Sequence, residues 1–360
     1  MLVLYELKKQ LETPFVYIVL ALCAAANLIM LSSDSANRII MQEAELVAEA
    51  GTQYMTAQVA QSITDEKRDI AYSYAERAVP PESAGQLMIS ISTGNAFGID
   101  ESFALNIAEL SAPAFSKRLE EMRANSELNA VNGGSELFSM LSGYLWLSAM
   151  ESMIFALLIT SRICGHEAAA GTAAVVYSTR TGRRIRAVKA AASVIISVGF
   201  QAVLFPLCCA GFFVQCPCFV LLSAPAVVPE IPIQMFPWFS VSVGGHFALN
   251  YLLTLLLSAV FSLLGFCCCG KKGGIMQLLV SLSLALVMPL PAFIKPEICS
   301  PYLYCLTPTS LLMSRPGYWL TVSRNTLPVC GIELYAMMLW TAVLLLGSAV
   351  GYRSFRKAKL

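Results

Sequence analysis

Apolar stretches near 20 residues long recur along this chain, and they constrain its fold more than any other feature. Each can cross a hydrocarbon core about 30 Å thick as an α-helix, which satisfies its backbone hydrogen bonds internally. The composition agrees, because 57% of the 360 residues are hydrophobic, 13% are charged and the mean hydropathy is +0.66. The sequence therefore predicts an all-α polytopic membrane protein with six spans, at about 14–33, 138–162, 187–214, 247–269, 275–294 and 333–352.

The distribution of Lys and Arg predicts the orientation of these spans. With the N-terminus inside, 14 of the 24 basic residues fall on short cytoplasmic segments, and residues 215–246 contain none. Positive charge accumulates on the cytoplasmic loops of membrane proteins. Both termini are therefore expected in the cytoplasm, and the protein in the plasma membrane, which in a bacterium is the cytoplasmic membrane. The net charge of +1 gives no reason to expect nucleic acid as a partner.

Residues 1–13 have the pattern of an amphipathic helix that lies flat at the membrane interface. One helical face bears Leu4, Leu7 and Leu11, and Glu6 and Lys9 lie on the other. A frayed apolar start is the alternative. The span at 14–33 is expected to be retained rather than cleaved as a signal peptide, because the residues before it have no net positive charge.

The only long polar region runs from residue 34 to 136, between the first two spans. It contains 16 acidic and seven basic residues, with neither cysteine nor histidine. About 100 residues are enough for a small helical domain. We expect an extracellular helical domain here, followed by spans two to six within 137–360. A lid, a docking element and a spacer all remain open as its use.

Two patterns resemble catalytic or metal sites but lack the residues that such sites require. The stretch GFCCCGKK at 265–272 has the glycine spacing of a phosphate-binding loop, but Lys272 replaces the metal-binding Ser or Thr. The two histidines, His166 and His246, are predicted on opposite sides of the membrane, and no paired metal-ligand spacing exists. We therefore expect no catalytic residue, no metal and no cofactor in this chain, and no enzymatic activity of its own.

Most of the 12 cysteines lie within or at the ends of the predicted spans, where a thiol packs as a small apolar group. Five are expected outside the membrane, which is an odd number: Cys216, Cys218, Cys299, Cys305 and Cys330. At least one would stay free or pair between chains, and the sequence leaves open whether the others form a disulfide.

Glu151 lies near the middle of the second span, with Ser148 and Ser152 beside it. A charged carboxylate at mid-bilayer costs about 2.5–3.5 kcal/mol on insertion scales, so it should face other helices or water. Two interpretations remain open: a residue of a substrate pathway or conformational switch, and a member of an interhelical hydrogen bond.

The segment 163–189 gathers five of the scarce basic residues between the second and third spans. Topology alone would explain the charges, but not Glu167 followed by Gly171-Thr172. A helix continuing from Glu167 would place Gly171 on the same side, where a glycine permits close approach of another surface. Residues 178–182 (STRTG) are then expected to break the helix before the third span.

This segment resembles the permeases of type-2 ABC exporters. After their second span these proteins have an acidic residue, a Gly-Thr, a short apolar run and a Ser-Thr, then a small turn with Arg and a Lys. The matching residues are Glu167, Gly171-Thr172, AAVVY at 173–177, Ser178-Thr179, Thr181-Gly182-Arg183 and Lys189. The flat N-terminal helix, the six spans, the large first outer loop and YCLTPTSLL at 304–312 also fit. Thr181-Gly182 replaces the more common proline-containing turn.

The resemblance implies an export permease driven by separate subunits. Two membrane subunits, identical or different, would pair and sit on two ABC ATP-binding subunits that hold ATP and Mg²⁺. The segment 163–189 would dock on the ATPase, with Glu167, Gly171, Thr172 and Arg183 as contacts and Arg180 and Lys189 as further candidates. The cargo would be a peptide, a lipid or a hydrophobic small molecule. The alternative is a membrane-anchored interaction or sensor protein whose outer domain binds an extracellular ligand.

Overall fold

The computed structural model describes residues 2–35, 135–178, 180–216, 236–268, 275–287, 306–312, 315–322 and 329–357, with isolated positions between 113 and 124 and at 219 and 222. These residues form α1 (Leu2–Leu11), α2 (Phe15–Ser35), α3 (Ser135–Ala169), α4 (Ala173–Ser178), α5 (Arg180–Gln215), β1 (Phe236–Pro237), α6 (Val243–Cys267), α7 (Ile275–Val287), α8 (Pro308–Leu311), a 3₁₀ turn (Pro316–Tyr318), β2 (Thr321–Val322) and α9 (Ile332–Lys357).

Four of the described helices are long and apolar enough to cross a membrane: α3, α5, α6 and α9. The bent pair α1–α2 makes a fifth candidate span. The chain is therefore a helical, multi-pass membrane protein. Helix α7 has 13 described residues, fewer than a bilayer requires, and positions 288–294 of the predicted fifth span lie outside the described residues. The predicted outer domain at 34–136 also lies outside them, apart from isolated positions.

Pro14 separates α1 from α2, whose axes differ by 57°. Proline has no N–H to donate, so α1 closes with the Glu12 and Thr13 amides bonded to the carbonyls of Lys8 and Gln10. The Pro14 carbonyl then accepts the Ile18 amide and begins α2. Leu2, Leu4 and Leu11 of α1 are exposed, whereas Leu7 packs in part against the core. Glu6 and Gln10 are buried, so residues of both predicted faces contact the protein.

The centre of the bundle is a three-helix unit in which α3 packs along α5 and α6, while α9 packs on α6 and α2 on α5. Three clusters of buried side chains fill the spaces between these helices. Stacked rings of Phe155 and Phe200, with centroids 3.9 Å apart, join α3 to α5. Van der Waals packing of large apolar side chains thus holds these helices together, because in lipid no hydrophobic driving force acts between them.

Small polar side chains line the contacts inside this unit. Ser152 lies 2.7 Å from Ser258, and Thr160 lies 3.0 Å from Ser262, hydroxyl to hydroxyl, between α3 and α6. Gly265 allows this close approach, because a Cβ there would meet Thr160 at 3.3 Å. Hydroxyl pairs and a glycine are common where membrane helices approach closely, since buried polar groups need a partner away from water.

Pro206 lies inside α5, where it removes the amide that would bond to the Ala202 carbonyl. The Tyr251 hydroxyl of α6 donates to that carbonyl at 3.1 Å. A neighbouring helix thereby satisfies the backbone group that the proline leaves unpaired, as a buried segment requires.

Residues 306–312 and 315–322 cover the end of the bundle at which α3 begins. Indole N–H groups of Trp146, Trp319 and Trp340 donate to the carbonyls of Leu312, Leu311 and Leu306. Leu320 adopts a left-handed backbone (φ 58°), and its amide donates to Glu333 at 3.3 Å. Such a backbone costs about 1–2 kcal/mol for a residue other than glycine, so the contacts around it must hold it.

Candidate functional site

The opposite end of the bundle, where α3 ends and α5 begins, holds the segment 163–189; we call it the basic end. Helix α3 ends at Ala169, and Gly171 has a left-handed backbone (φ 68°). The Thr172 amide donates to the Glu167 carbonyl at 3.0 Å, the six-to-one bond of a glycine-terminated helix. The expectation that the helix continues to Gly171 is therefore wrong, because a glycine in this conformation ends it.

Gly171 and Thr172 have different structural roles in the turn between α3 and α4. A Cβ at Gly171 would meet nothing within 4 Å, so within this chain the glycine supplies backbone freedom rather than close packing. The close approach of another protein at Gly171 stays a prediction. The Thr172 carbonyl accepts the Val176 amide at 3.0 Å and thereby begins α4.

Helix α4 is a short helix between two long ones, and exposed side chains are found among its described residues. Val175 is 73% exposed, and Thr172 and Ser178 are exposed as well. A valine with most of its surface uncovered at a loop between membrane helices is available to contact another molecule.

Helix α5 begins at Arg180, so Thr181 and Gly182 lie within its first turn. The predicted break across 178–182 is wrong for this part, because the long apolar helix that follows extends back through these weak helix formers. Packing of a long helix commonly overrides local propensity of about 1 kcal/mol per residue. The side chains of Arg180 and Arg183 lie outside the described residues.

Glu167 and Lys189 form a buried ion pair at the bases of α3 and α5. Lys189 is 1% exposed, and its ammonium also donates to the Ile163 carbonyl at 2.7 Å. Glu167 is 7% exposed. Two of the six residues predicted to contact a partner therefore face each other inside the chain. Whether either also contacts a partner stays a prediction.

Helix α1 and the first residue of α2 both contact the same end of α3. Lys9 Nζ lies 3.5 Å from His166 Nδ1, and the guanidinium of Arg162 lies 4.4 Å above the ring of Phe15. Sequence reasoning missed both contacts, since nothing in the spacing relates residues more than 140 positions apart. The ends of α1, α2, α3 and α5 thus meet beside the exposed helix α4.

Glu151 lies on α3, 16 residues before Glu167 and so about 24 Å along the helix. Its carboxylate accepts the side-chain amide of Asn27 on α2 at 2.7 Å. The interhelical hydrogen bond is therefore present, which does not exclude a place on a pathway. Ser148 and Ser152 point elsewhere: Gln201 donates to Ser148 at 3.3 Å, and Ser152 meets Ser258.

The stretch 265–272, whose glycine spacing resembles a phosphate-binding loop, begins inside a regular helix. Helix α6 runs through Gly265 and Phe266 to Cys267. The Cys267 thiol lies 3.2 Å from the Ser348 hydroxyl of α9. Residues 269–274 lie outside the described part. Within the described residues, no group of three His, Cys, Asp or Glu side chains could hold a metal ion.

Two of the five cysteines expected outside the membrane are described. Cys216 and Cys330 are free thiols, while Cys218, Cys299 and Cys305 lie outside the described residues. Partial burial, and then the charge of Glu333, raise the pKa of the Cys330 thiol. The thiolate is the reactive form, so Cys330 is a weak nucleophile at neutral pH.

No protein-family model, curated protein or solved structure matches this chain.

Proposed function

We propose that this chain is the membrane-spanning permease subunit of an ATP-driven exporter similar to the type-2 ABC class. The proposal rests on one observation above all. An exposed helix, α4, lies between two candidate spans whose bases are joined by the buried Glu167–Lys189 pair. That arrangement suits a surface that is pushed by another protein and passes the displacement to two membrane helices at once.

The physical argument concerns stiffness. A buried ion pair joins α3 to α5 at this level, and removing one of its partners costs about 3–5 kcal/mol because the other charge is left buried. A force on α4 would therefore move the two helices together. Because α2 packs on α5 and α1 contacts the end of α3, the same displacement would reach the first span.

The remaining parts of the proposal follow the resemblance. The chain would have six spans, cytoplasmic termini and an extracellular helical domain at 34–136, and would lie in the bacterial cytoplasmic membrane. Two permease subunits would associate with two ABC ATP-binding subunits, which supply ATP and Mg²⁺. The residues proposed to meet the ATPase are the exposed members of the segment, Gly171, Thr172 and Val175, with Arg180 and Arg183 beside them.

Purification of the tagged chain in a gentle detergent tests this. We expect a nucleotide-hydrolysing subunit with a phosphate-binding loop to co-elute in near-equal amount, identified by mass spectrometry and by ATPase activity. Val175→Glu places a charge at the centre of the exposed face and should abolish co-elution while the chain still elutes as a folded species. Lys8→Glu, a larger charge change on exposed α1 at the same end, is the control and should keep the partner.

Two outcomes contradict the proposal. If no ATPase co-elutes with the parent chain, the proposed transporter has no source of energy, and the membrane-anchored sensor is favoured. If Val175→Glu and Lys8→Glu behave alike, both keeping the partner or both losing it, α4 is not the specific contact.

A further inference from the structure

The wedge between α2, α3 and α5 is apolar except near Asn27 and Glu151. Along this wedge α3 contributes Phe155 and Ile159, and α5 contributes Phe200 and Leu204, all of them buried. Phe155 lies one turn from Glu151 on the same face of α3. A carboxylate thus stands in a mainly hydrocarbon environment with a pair of stacked aromatic rings beside it.

Among the described residues, the hydrogen-bond partner of the Glu151 carboxyl group is a neutral side chain. The carboxylate accepts one hydrogen bond from the Asn27 amide, and within the described residues it makes no ion pair. Glu151 is half-buried, unlike the buried Glu167. An ionised carboxylate in a low-dielectric site gains strongly from a cation, because the attraction between opposite charges grows as the dielectric constant falls.

Asn27 provides a second, independent indication of a ligand. The residue is 1% exposed, and its side-chain carbonyl oxygen has no hydrogen-bond partner. A buried amide oxygen without a donor costs about 1–3 kcal/mol. An N–H or O–H donor placed next to the carboxylate would satisfy this oxygen.

We propose that Glu151 and Asn27 bind the protonated amine of a hydrophobic cargo between α2 and α3. The ammonium pairs with the carboxylate of half-buried Glu151 and donates to the Asn27 oxygen, and the apolar part of the molecule lies in the surrounding hydrocarbon. The inference rests on the proposed function for its transport meaning, but binding itself needs no ATPase. It selects, among peptides, lipids and hydrophobic small molecules, those that bring a positive charge.

The test measures binding to the full chain in nanodiscs of zwitterionic phosphatidylcholine by isothermal titration calorimetry, with empty nanodiscs subtracted. Octylamine, octanol and octanoate have the same apolar chain with a positive, neutral or negative head at neutral pH. We expect octylamine to bind at least about tenfold more tightly than octanol, because a charge pair in a site away from water outweighs a neutral contact. Octanoate should bind most weakly.

Three variants separate the charge from the fold. Glu151→Gln keeps an oxygen for the Asn27 amide but removes the charge, and should abolish the preference for octylamine over octanol. Glu151→Asp keeps the charge and should retain part of that preference. Glu12→Gln removes a carboxylate that is 66% exposed on α1 and should change nothing.

Equal binding of the three octyl compounds by the parent would overturn the inference, and so would an unchanged octylamine preference in Glu151→Gln. If octylamine binds as expected while no ATPase co-purifies, the site stands and the proposed function fails. If the ATPase co-purifies but the parent shows no preference for octylamine, the proposed function stands and the amine site fails.

Discussion

Helix α3 contains two carboxylates about 24 Å apart, Glu167 buried and Glu151 half-buried, whose partners differ. Glu167, at the basic end, faces the ammonium of Lys189, whereas Glu151, near the middle, faces the neutral amide of Asn27. The first charge is neutralised within the chain and joins two helices. The second is only partly satisfied and leaves an adjacent amide oxygen without a donor. The same residue type therefore serves as a fixed attachment in one place and as a candidate binding group in the other.

The largest effect should come from breaking the pair at the basic end. Lys189→Met leaves Glu167 buried without its cation, which should lower the free energy of unfolding by about 3–5 kcal/mol. Unfolding in mixed micelles titrated with SDS measures this. The double variant Glu167→Gln, Lys189→Met should recover most of the loss, because no unpaired charge remains. A double variant as unstable as the single one would show that the pair does not hold α3 to α5 by charge.

The partner of Glu151 should matter less. Asn27→Leu removes the hydrogen-bond donor that the Glu151 carboxylate has among the described residues, and should cost about 1–3 kcal/mol in the same assay. Glu151→Gln keeps the hydrogen bond and removes the buried charge, so it should cost less than Asn27→Leu. If Glu151→Gln destabilised the protein as much as Lys189→Met does, the contrast between the two carboxylates would be lost.

The loss of one neutral hydrogen bond between helices gives a reference value for the two larger effects. Tyr251→Phe removes the hydroxyl that bonds to the Ala202 carbonyl, and should cost about 0.6 kcal/mol, the average for such bonds between membrane helices. In a Pro206→Ala background the carbonyl regains a backbone amide, so Tyr251→Phe should then cost less. An equal cost in both backgrounds would mean that the hydroxyl does not compensate for the proline.

Much of the helix layout could be predicted from hydropathy. The helices α2, α3, α5, α6 and α9 cover five of the six predicted spans, because a run of about 20 apolar residues in lipid has few alternatives to a helix. The boundaries at the basic end were predicted less well. Gly171 ends a helix that was expected to continue, and Gly182 lies inside one that was expected to break. The consequence of a glycine depends on its backbone conformation, which composition does not specify.

The candidate sites show the same division. Glu151 and Glu167 could be singled out because charged residues are rare in such a chain and expensive in lipid. Their partners could not be predicted. The sequence pattern places Lys189 on a partner surface and gives no partner for Glu151, although a lone amide, Asn27, in the otherwise apolar stretch LCAAANLIM is itself a signal.

What the sequence by itself determined is the class of the protein and the residues that are costly to bury: a helical membrane protein with scarce charges, most of its basic ones gathered in a few short segments. Only the tertiary structure decided which of these charges meet. Hydropathy acts residue by residue, and so it is readable along the chain. The pairing of Glu167 with Lys189, of Glu151 with Asn27 and of Tyr251 with the carbonyl freed by Pro206 depends on helix rotation and packing. Those are properties of several helices together, and no single segment contains them.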